Sequence, residues 1–160
     1  MSTIPFTKGL HPIGMGIYVF LQPDGSWGLN NAGLIVSGDK ALLVDTLYDY
    51  QHTSEMLSEI KATIGPAVKI EYLINTHANG DHYFGNGLVE GATIVSSAIC
   101  AAEMKAVPPF KMALLMKMWW LLGKAGRYLY QNFKQFDFRK IPLVLPHQVF
   151  EDNMTLPVGK

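Results

Sequence analysis

A single cysteine, Cys100, stands among 160 residues. It excludes a disulfide framework and any cysteine-rich zinc module. Charge is scarce as well, at 16% of residues against 49% apolar, which excludes a disordered chain, a collagen-like repeat and a coiled coil. No uncharged apolar run reaches the ~18 residues of an ordinary spanning helix. The opening MSTIPFTKGLHPIG lacks a basic stretch followed by an apolar one, so no secretory leader is expected and the cytoplasm is the expected location. Thirteen basic and thirteen acidic side chains cancel, so overall charge points to no nucleic-acid partner. The length is that of one domain.

The balance of charge is uneven along the chain. From Glu103 to Lys140, eight basic residues face two acidic ones, leaving +6, and the remainder carries −6. A solvated helix face is the plain explanation; a segment with its own surface role is the other.

The first half reads as strands. Gly16–Leu21, Ala32–Val36 and Ala41–Asp45 are short β-rich runs, the last two joined by the hairpin-type turn Gly38-Asp39. Met56, Leu57, Ile60 and Ile64 recur at helical spacing until Gly65-Pro66. Ile70–Ile74 is apolar on both faces apart from Glu71, as a covered central strand would be. Ala92–Val95 follows as a strand, with Ser96 or Ser97 capping a helix to about Lys105. Apolar residues from Met112 to Phe136 gather on one helical face opposite Lys117, Lys124, Arg127 and Lys134, with Gly123 and Gly126 able to bend or split the helix. Leu143–Leu145 and Val149-Phe150 are strand-like again. The order predicts a mixed α/β layered fold.

Chemistry is concentrated in Asn75-Thr76-His77-Ala78-Asn79-Gly80-Asp81-His82. Two imidazoles and a carboxylate follow an apolar strand directly, where α/β sheets place ligands. Imidazole nitrogen and carboxylate oxygen suit zinc, iron or manganese. Gly80 offers a sharp turn between ligands, and Asp81 and His82 can leave it in different directions. A polar turn whose histidines cap backbone groups is the plainer alternative. His11, His52 and His147 show no such cluster and are read as surface or structural.

The motif His77-x-Asn79-x-Asp81-His82 resembles the His-x-His-x-Asp-His signature of the metallo-β-lactamase-fold hydrolases. Asn31–Val36 and Ala41–Thr46 resemble that family's early hairpin, and Tyr83–Asn86 the segment after the motif. The resemblance covers about residues 14 to 105 and implies the N-terminal half of an αββα sandwich, a mixed sheet with flanking helices. On it, residues 1–160 are one incomplete domain, and 108–136 are a helical insertion or lid. It implies His77, Asn79, Asp81 and His82 as ligands of one or two zinc ions, with iron or manganese as substitutes, and Asp45 and Thr76 as supports behind them. Asp81 would also orient the hydroxide that attacks a thioester, ester or lactam carbonyl. Asn79 stands where the family has its second histidine, and a neutral amide is the weaker donor.

The family's C-terminal ligands have no counterpart after the motif, so weak metal binding and little hydrolysis are expected. A non-catalytic binding half-domain is the alternative. The partner expected is a small, hydrophobic substrate, with Trp119, Trp120 and Tyr128 around it if Met112–Phe136 caps the site. The same segment can instead be an outer helix burying its stripe on the sheet, or a membrane-surface helix. An uncovered sheet face, with candidates in Ile17–Phe20, Leu34–Val36 and Leu42–Val44, would favour self-association.

Overall fold

Residues 5–159 are described by a computed structural model of the chain. Met1–Ile4, where the expectation of no leader begins, and Lys160 lie outside the described residues. The described residues form seven strands and five α-helices. The strands are β1 (Gly9–Gly14), β2 (Ile17–Leu21), β3 (Ala32–Ser37), β4 (Lys40–Val44), β5 (Lys69–Ile74), β6 (Thr93–Ser97) and β7 (Gln148–Phe150). The helices are α1 (Tyr50–Ile64), α2 (Gly80–Tyr83), α3 (Ala98–Ala106), α4 (Pro109–Met118) and α5 (Gly123–Phe133). Among the described residues they make one mixed sheet in sequential order, antiparallel from β1 to β4 and parallel from β4 to β7. The fold class is therefore α/β, as the order of elements predicts.

Side-chain alternation decides which face is buried. Phe20, Leu34, Leu43 and Leu73 point to one face and meet Met56 and Ile60 of α1 in a single cluster. Each such side chain is worth ~1.5–3 kcal/mol when removed from water, so this contact holds α1 against the sheet. On the opposite face, Ile17 pairs with Ile35 across β2 and β3, and both remain exposed. A second cluster of Tyr48, Tyr83, Phe84, Phe133, Phe136 and Phe138 packs beyond the C-terminal ends of β4 and β5. Seven of its ring contacts are edge-on or tilted with centroids of 4.8–6.1 Å, the geometries aromatic quadrupoles favour.

Four expectations need correction. β1 is an additional strand that the sequence pattern does not announce, because Pro12 cannot donate to a ladder; it is tolerated on this edge strand, beside a break in register at Pro12/Gly14. β5 is central in order but not covered on both faces, since only Leu73 of its residues is buried. Leu143–Leu145 is not a strand: Pro142 and Pro146 flank it without N–H groups, and the Val144 carbonyl accepts from Asn86 Nδ2 instead. Met112–Phe136 splits, as Gly123 and Gly126 allow, but it does not bury its stripe as an outer helix would. It is split into α4, a 3-10 turn at Trp119–Leu122 and α5, and Leu114, Met118, Leu121 and Leu122 of the supposed stripe are exposed.

Close packing behind the motif loop makes Gly85 a sensitive position. A Cβ there would sit 2.1 Å from Thr53 Oγ1 and 2.8 Å from Thr53 Cβ, and Thr53 Oγ1 accepts the Leu47 N–H at 3.2 Å. Gly85→Ala is expected to cost about 1–3 kcal/mol through overpacking, read as a fall in Tm of about 2–4 °C per kcal/mol. A melt unchanged from the parent protein would show that Thr53 yields freely.

Candidate functional site

The site begins at Asp45, the residue after β4. Its φ of 65° lies in the left-handed region, which an aspartate tolerates better than most side chains. That turn sends its buried carboxylate across to the loop after β5. One oxygen accepts the Thr76 N–H at 2.8 Å, and the other lies 2.7 Å from Thr76 Oγ1 and 2.9 Å from His82 Nδ1. An ionised carboxylate only accepts, so the Thr76 hydroxyl and His82 Nδ1 must both donate.

The same logic reaches His77. Thr76 Oγ1 has given its proton to Asp45, so it accepts from His77 Nδ1 at 2.9 Å. Asp45 therefore sets the tautomer of both imidazoles, of His82 directly and of His77 through Thr76. An imidazole that donates from Nδ1 in its neutral form presents a bare Nε2 lone pair, the arrangement a metal ligand requires. The two rings lie 3.9 Å apart at their centroids, and His82 Nε2 is 3.6 Å from Asp81 Oδ2. His77, Asp81 and His82 are thus neighbours, and Asp45 and Thr76 stand behind the imidazoles. His82 lies against both His77 and Asp81.

A network of amides holds the loop in this position. Asn75 and Asn86 are both buried and exchange side-chain hydrogen bonds at 2.8 and 3.1 Å, while Asn75 Nδ2 also donates to the His82 carbonyl at 2.9 Å. Thr46 N–H donates to that same carbonyl at 2.9 Å. Asn30 Nδ2 donates to the Thr46 carbonyl at 3.0 Å, and its own Oδ1 is buried with no partner. Gly80 serves this packing rather than a sharp turn. It opens α2, and a Cβ on it would lie 2.7 Å from both the Phe84 and the Tyr48 rings.

Asn79 and Asp81 line a cleft of 340 Å³ whose wall includes Trp27, Tyr48, Val107 and Phe133. Burial and then the nearby Asp81 charge push the Tyr48 phenol up, so it stays protonated at neutral pH. Sequence reasoning misses this wall, because its residues come from four separated segments. Trp119 and Trp120 do not line it. Trp119 stacks on Tyr130 at 4.7 Å and Trp120 is exposed, whereas Tyr128 meets Trp27 edge-on at 5.5 Å.

All three histidines outside the motif also have partners, His11 Nε2 lying 2.8 Å from the Thr7 carbonyl. His52 Nδ1 lies 2.7 Å from the buried Asp49 carboxylate. His147, just before β7, accepts the Ile94 N–H at 3.0 Å. An aspartate three residues before His52, at the head of a periodic run, is the signal available in the sequence.

The donor chemistry fits a borderline cation as a partial set: two imidazoles with fixed tautomers, one carboxylate and one amide. It is not closed. Among the described residues, no group of three or more His, Cys, Asp or Glu side chains is placed to hold a metal ion.

A strand of a mixed sheet leading into paired imidazoles oriented from a neighbouring strand defines a class, and comparison supplies the same one. The model of the metallo-beta-lactamase superfamily matches residues 25–150, and the chain belongs to that superfamily. Comparison with curated proteins gives no match. Among solved structures, TMB-1 is 25% identical with a TM-score of 0.49, covering 62% of this chain and 48% of its own. A metallo-beta-lactamase from Hirschia baltica is 25% identical with a TM-score of 0.47, covering 59% and 46%. FIM-1 from Pseudomonas aeruginosa, in its mono-zinc form, is 22% identical with a TM-score of 0.46, covering 61% and 46%. The chain spans about half the length of these proteins.

Proposed function

We propose that the protein is a metal-dependent hydrolase acting on a carbonyl substrate, a thioester, ester or lactam with an apolar portion. The observation that supports this most is the Asp45 carboxylate, which fixes both imidazoles with Nε2 bare. His77, Asp81 and His82, with the Asn79 amide, are the residues that would hold a zinc ion, with iron or manganese as substitutes. Such an ion would lower the pKa of a bound water from ~15.7 to ~7 and polarise the carbonyl. The chain's own residues do the positioning. Asp81 accepts a hydrogen bond from the attacking water and so aims it into the cleft. Trp27, Val107 and Phe133 receive the apolar part of the substrate and exclude bulk water. The protonated Tyr48 phenol remains available as a donor.

The experiment is metal titration by calorimetry together with turnover of thioester, ester and lactam substrates. Zinc is expected to bind weakly and to leave on dialysis, because three ligands and an amide fall short of a closed tetrahedral set. Slow turnover is expected only with added metal, and Asp81→Ala should abolish it. Asn79→His, which replaces a neutral amide with an imidazole, should tighten zinc about tenfold or more. Zinc binding without metal-dependent turnover of any of the three classes would favour a non-catalytic binding domain.

A further inference from the structure

A helix this apolar is normally buried over most of its surface, but α4 only half-buries one side, packing Met112, Ala113 and Met116 against the aromatic cluster. Its sequence, PFKMALLMKM, holds only two charged residues, yet Pro109 is the one buried residue of the ten. Phe110 is 62% exposed and Leu114 52%. The 3-10 turn that follows carries the exposure further, with Trp120 at 64%, Leu121 at 54% and Leu122 at 49%. Gly123, at φ 57°, then adopts a conformation that L side chains rarely take and lets the chain reverse into α5. Trp119 is held back by its stack on Tyr130, so the tip presents Trp120 and the two leucines outward.

Charge surrounds this tip. Lys111, Lys117, Lys124 and Arg127 are all exposed around it, within the stretch that carries +6. Lys111 lines an apolar crevice of 290 Å³ with Leu114, Leu115, Met118, Leu121 and Leu122. On the other side of α4 a cleft of 1010 Å³ reaches α5 and the 136–139 segment, with Lys117, Lys134 and the Arg139–Asp137 ion pair on its lining.

We propose that the α4–α5 hairpin docks the protein on an anionic lipid surface. Trp120, Leu121 and Leu122 enter the boundary between headgroups and acyl chains, and the surrounding cations meet the phosphates. Exposed aromatic and aliphatic side chains ringed by lysine are the pattern of interfacial anchors. A protein partner fits less well, because interface cores are depleted in lysine. A nucleic-acid backbone would satisfy the cations but gain nothing from the leucines. No helix among the described residues is long and apolar enough to cross a membrane, so the contact is peripheral.

The test is co-sedimentation of the purified protein with phosphatidylcholine vesicles, with and without phosphatidylglycerol. Binding is expected only to the anionic vesicles, weakening as salt is raised, with tryptophan emission quenched by brominated acyl chains. Trp120→Ser and Leu121→Ser should each lower partitioning by about tenfold, and together by about a hundredfold, since each loses burial worth a factor of ten or so. Lys117→Gln and Lys124→Gln should each lower it about fivefold. Both sites are exposed, so the variants should melt with the parent. The proposal would be overturned by no binding to anionic vesicles, by equal binding of the variants, or by a dimer dispersed by the Trp120 and Leu121 changes without vesicle binding. Tight binding to duplex DNA in place of vesicles would do the same.

Discussion

Asp45→Ala is expected to remove about 3–5 kcal/mol of stability, the cost of breaking a buried charged contact from one side. Against a total of roughly 5–15 kcal/mol for a domain, that leaves a marginal fold. Asp45 is 4% exposed, and its carboxylate serves three donors on the facing segment. Without it the Thr76 N–H, the Thr76 hydroxyl and His82 Nδ1 all lose their acceptor. Alanine also inherits the left-handed φ of 65°, which costs a Cβ-bearing residue about 1–2 kcal/mol. Asp45→Gly removes the same bonds without that penalty, so it should be the milder change by about 1 kcal/mol. Denaturant titration measures both. If glycine and alanine destabilise equally, the backbone at position 45 relaxes out of its turn. Zinc affinity should fall about 10–100-fold in either variant, because neither imidazole keeps a fixed tautomer.

Much of this arrangement is legible in the amino-acid sequence, for a physical reason. The β3–β4 hairpin is local, set by alternation and a Gly38-Asp39 turn, and α1 is set by spacing at three and four residues. His77, Asp81 and His82 lie within six residues, so one short segment carries them whatever the tertiary fold. Residues that act across long separations are less legible. Trp27, Tyr48, Val107 and Phe133 share a cleft wall only because β4, α3 and α5 converge beyond the sheet. Pattern alone also misjudges Met112–Phe136. Its apolar residues do fall at helical spacing, but spacing says only that a stripe exists, not that something covers it. Gly123 breaks the stripe and turns part of it outward. β1 escapes notice for the opposite reason, since an edge position excuses a proline that propensity counts against.

Asp49 is legible in the sequence only as a helix cap, although its effect should rival that of Asp45. It is the N-cap of α1, where its carboxylate accepts the His52 N–H at 2.8 Å and contacts His52 Nδ1 at 2.7 Å. Its second oxygen accepts the Asp137 N–H at 2.9 Å, a link across 88 positions. That one side chain ties the start of α1 to the segment after α5, beside the Phe136 ring that packs on both His52 and Tyr48. Asp49→Ala should cost about 3–5 kcal/mol, as a buried charge removed from its donors, of which the cap is about 1 kcal/mol. Hydrogen exchange should quicken at the Asp137 and His52 amides before the β-sheet opens. The pH dependence has a definite sign. Burial raises the Asp49 carboxyl, but its hydrogen bonds to His52 and Asp137 outweigh this and hold it below the ordinary carboxylate value. A depressed folded-state pKa contributes stability that is complete above the unfolded value of ~3.9 and is lost as pH falls through the folded one. The stability gap between the parent protein and Asp49→Asn should therefore be constant from neutral pH down to about 5 and shrink below about 4. A gap that stays level into strong acid would mean that Asp49 is held by shape alone and that its charge contributes nothing.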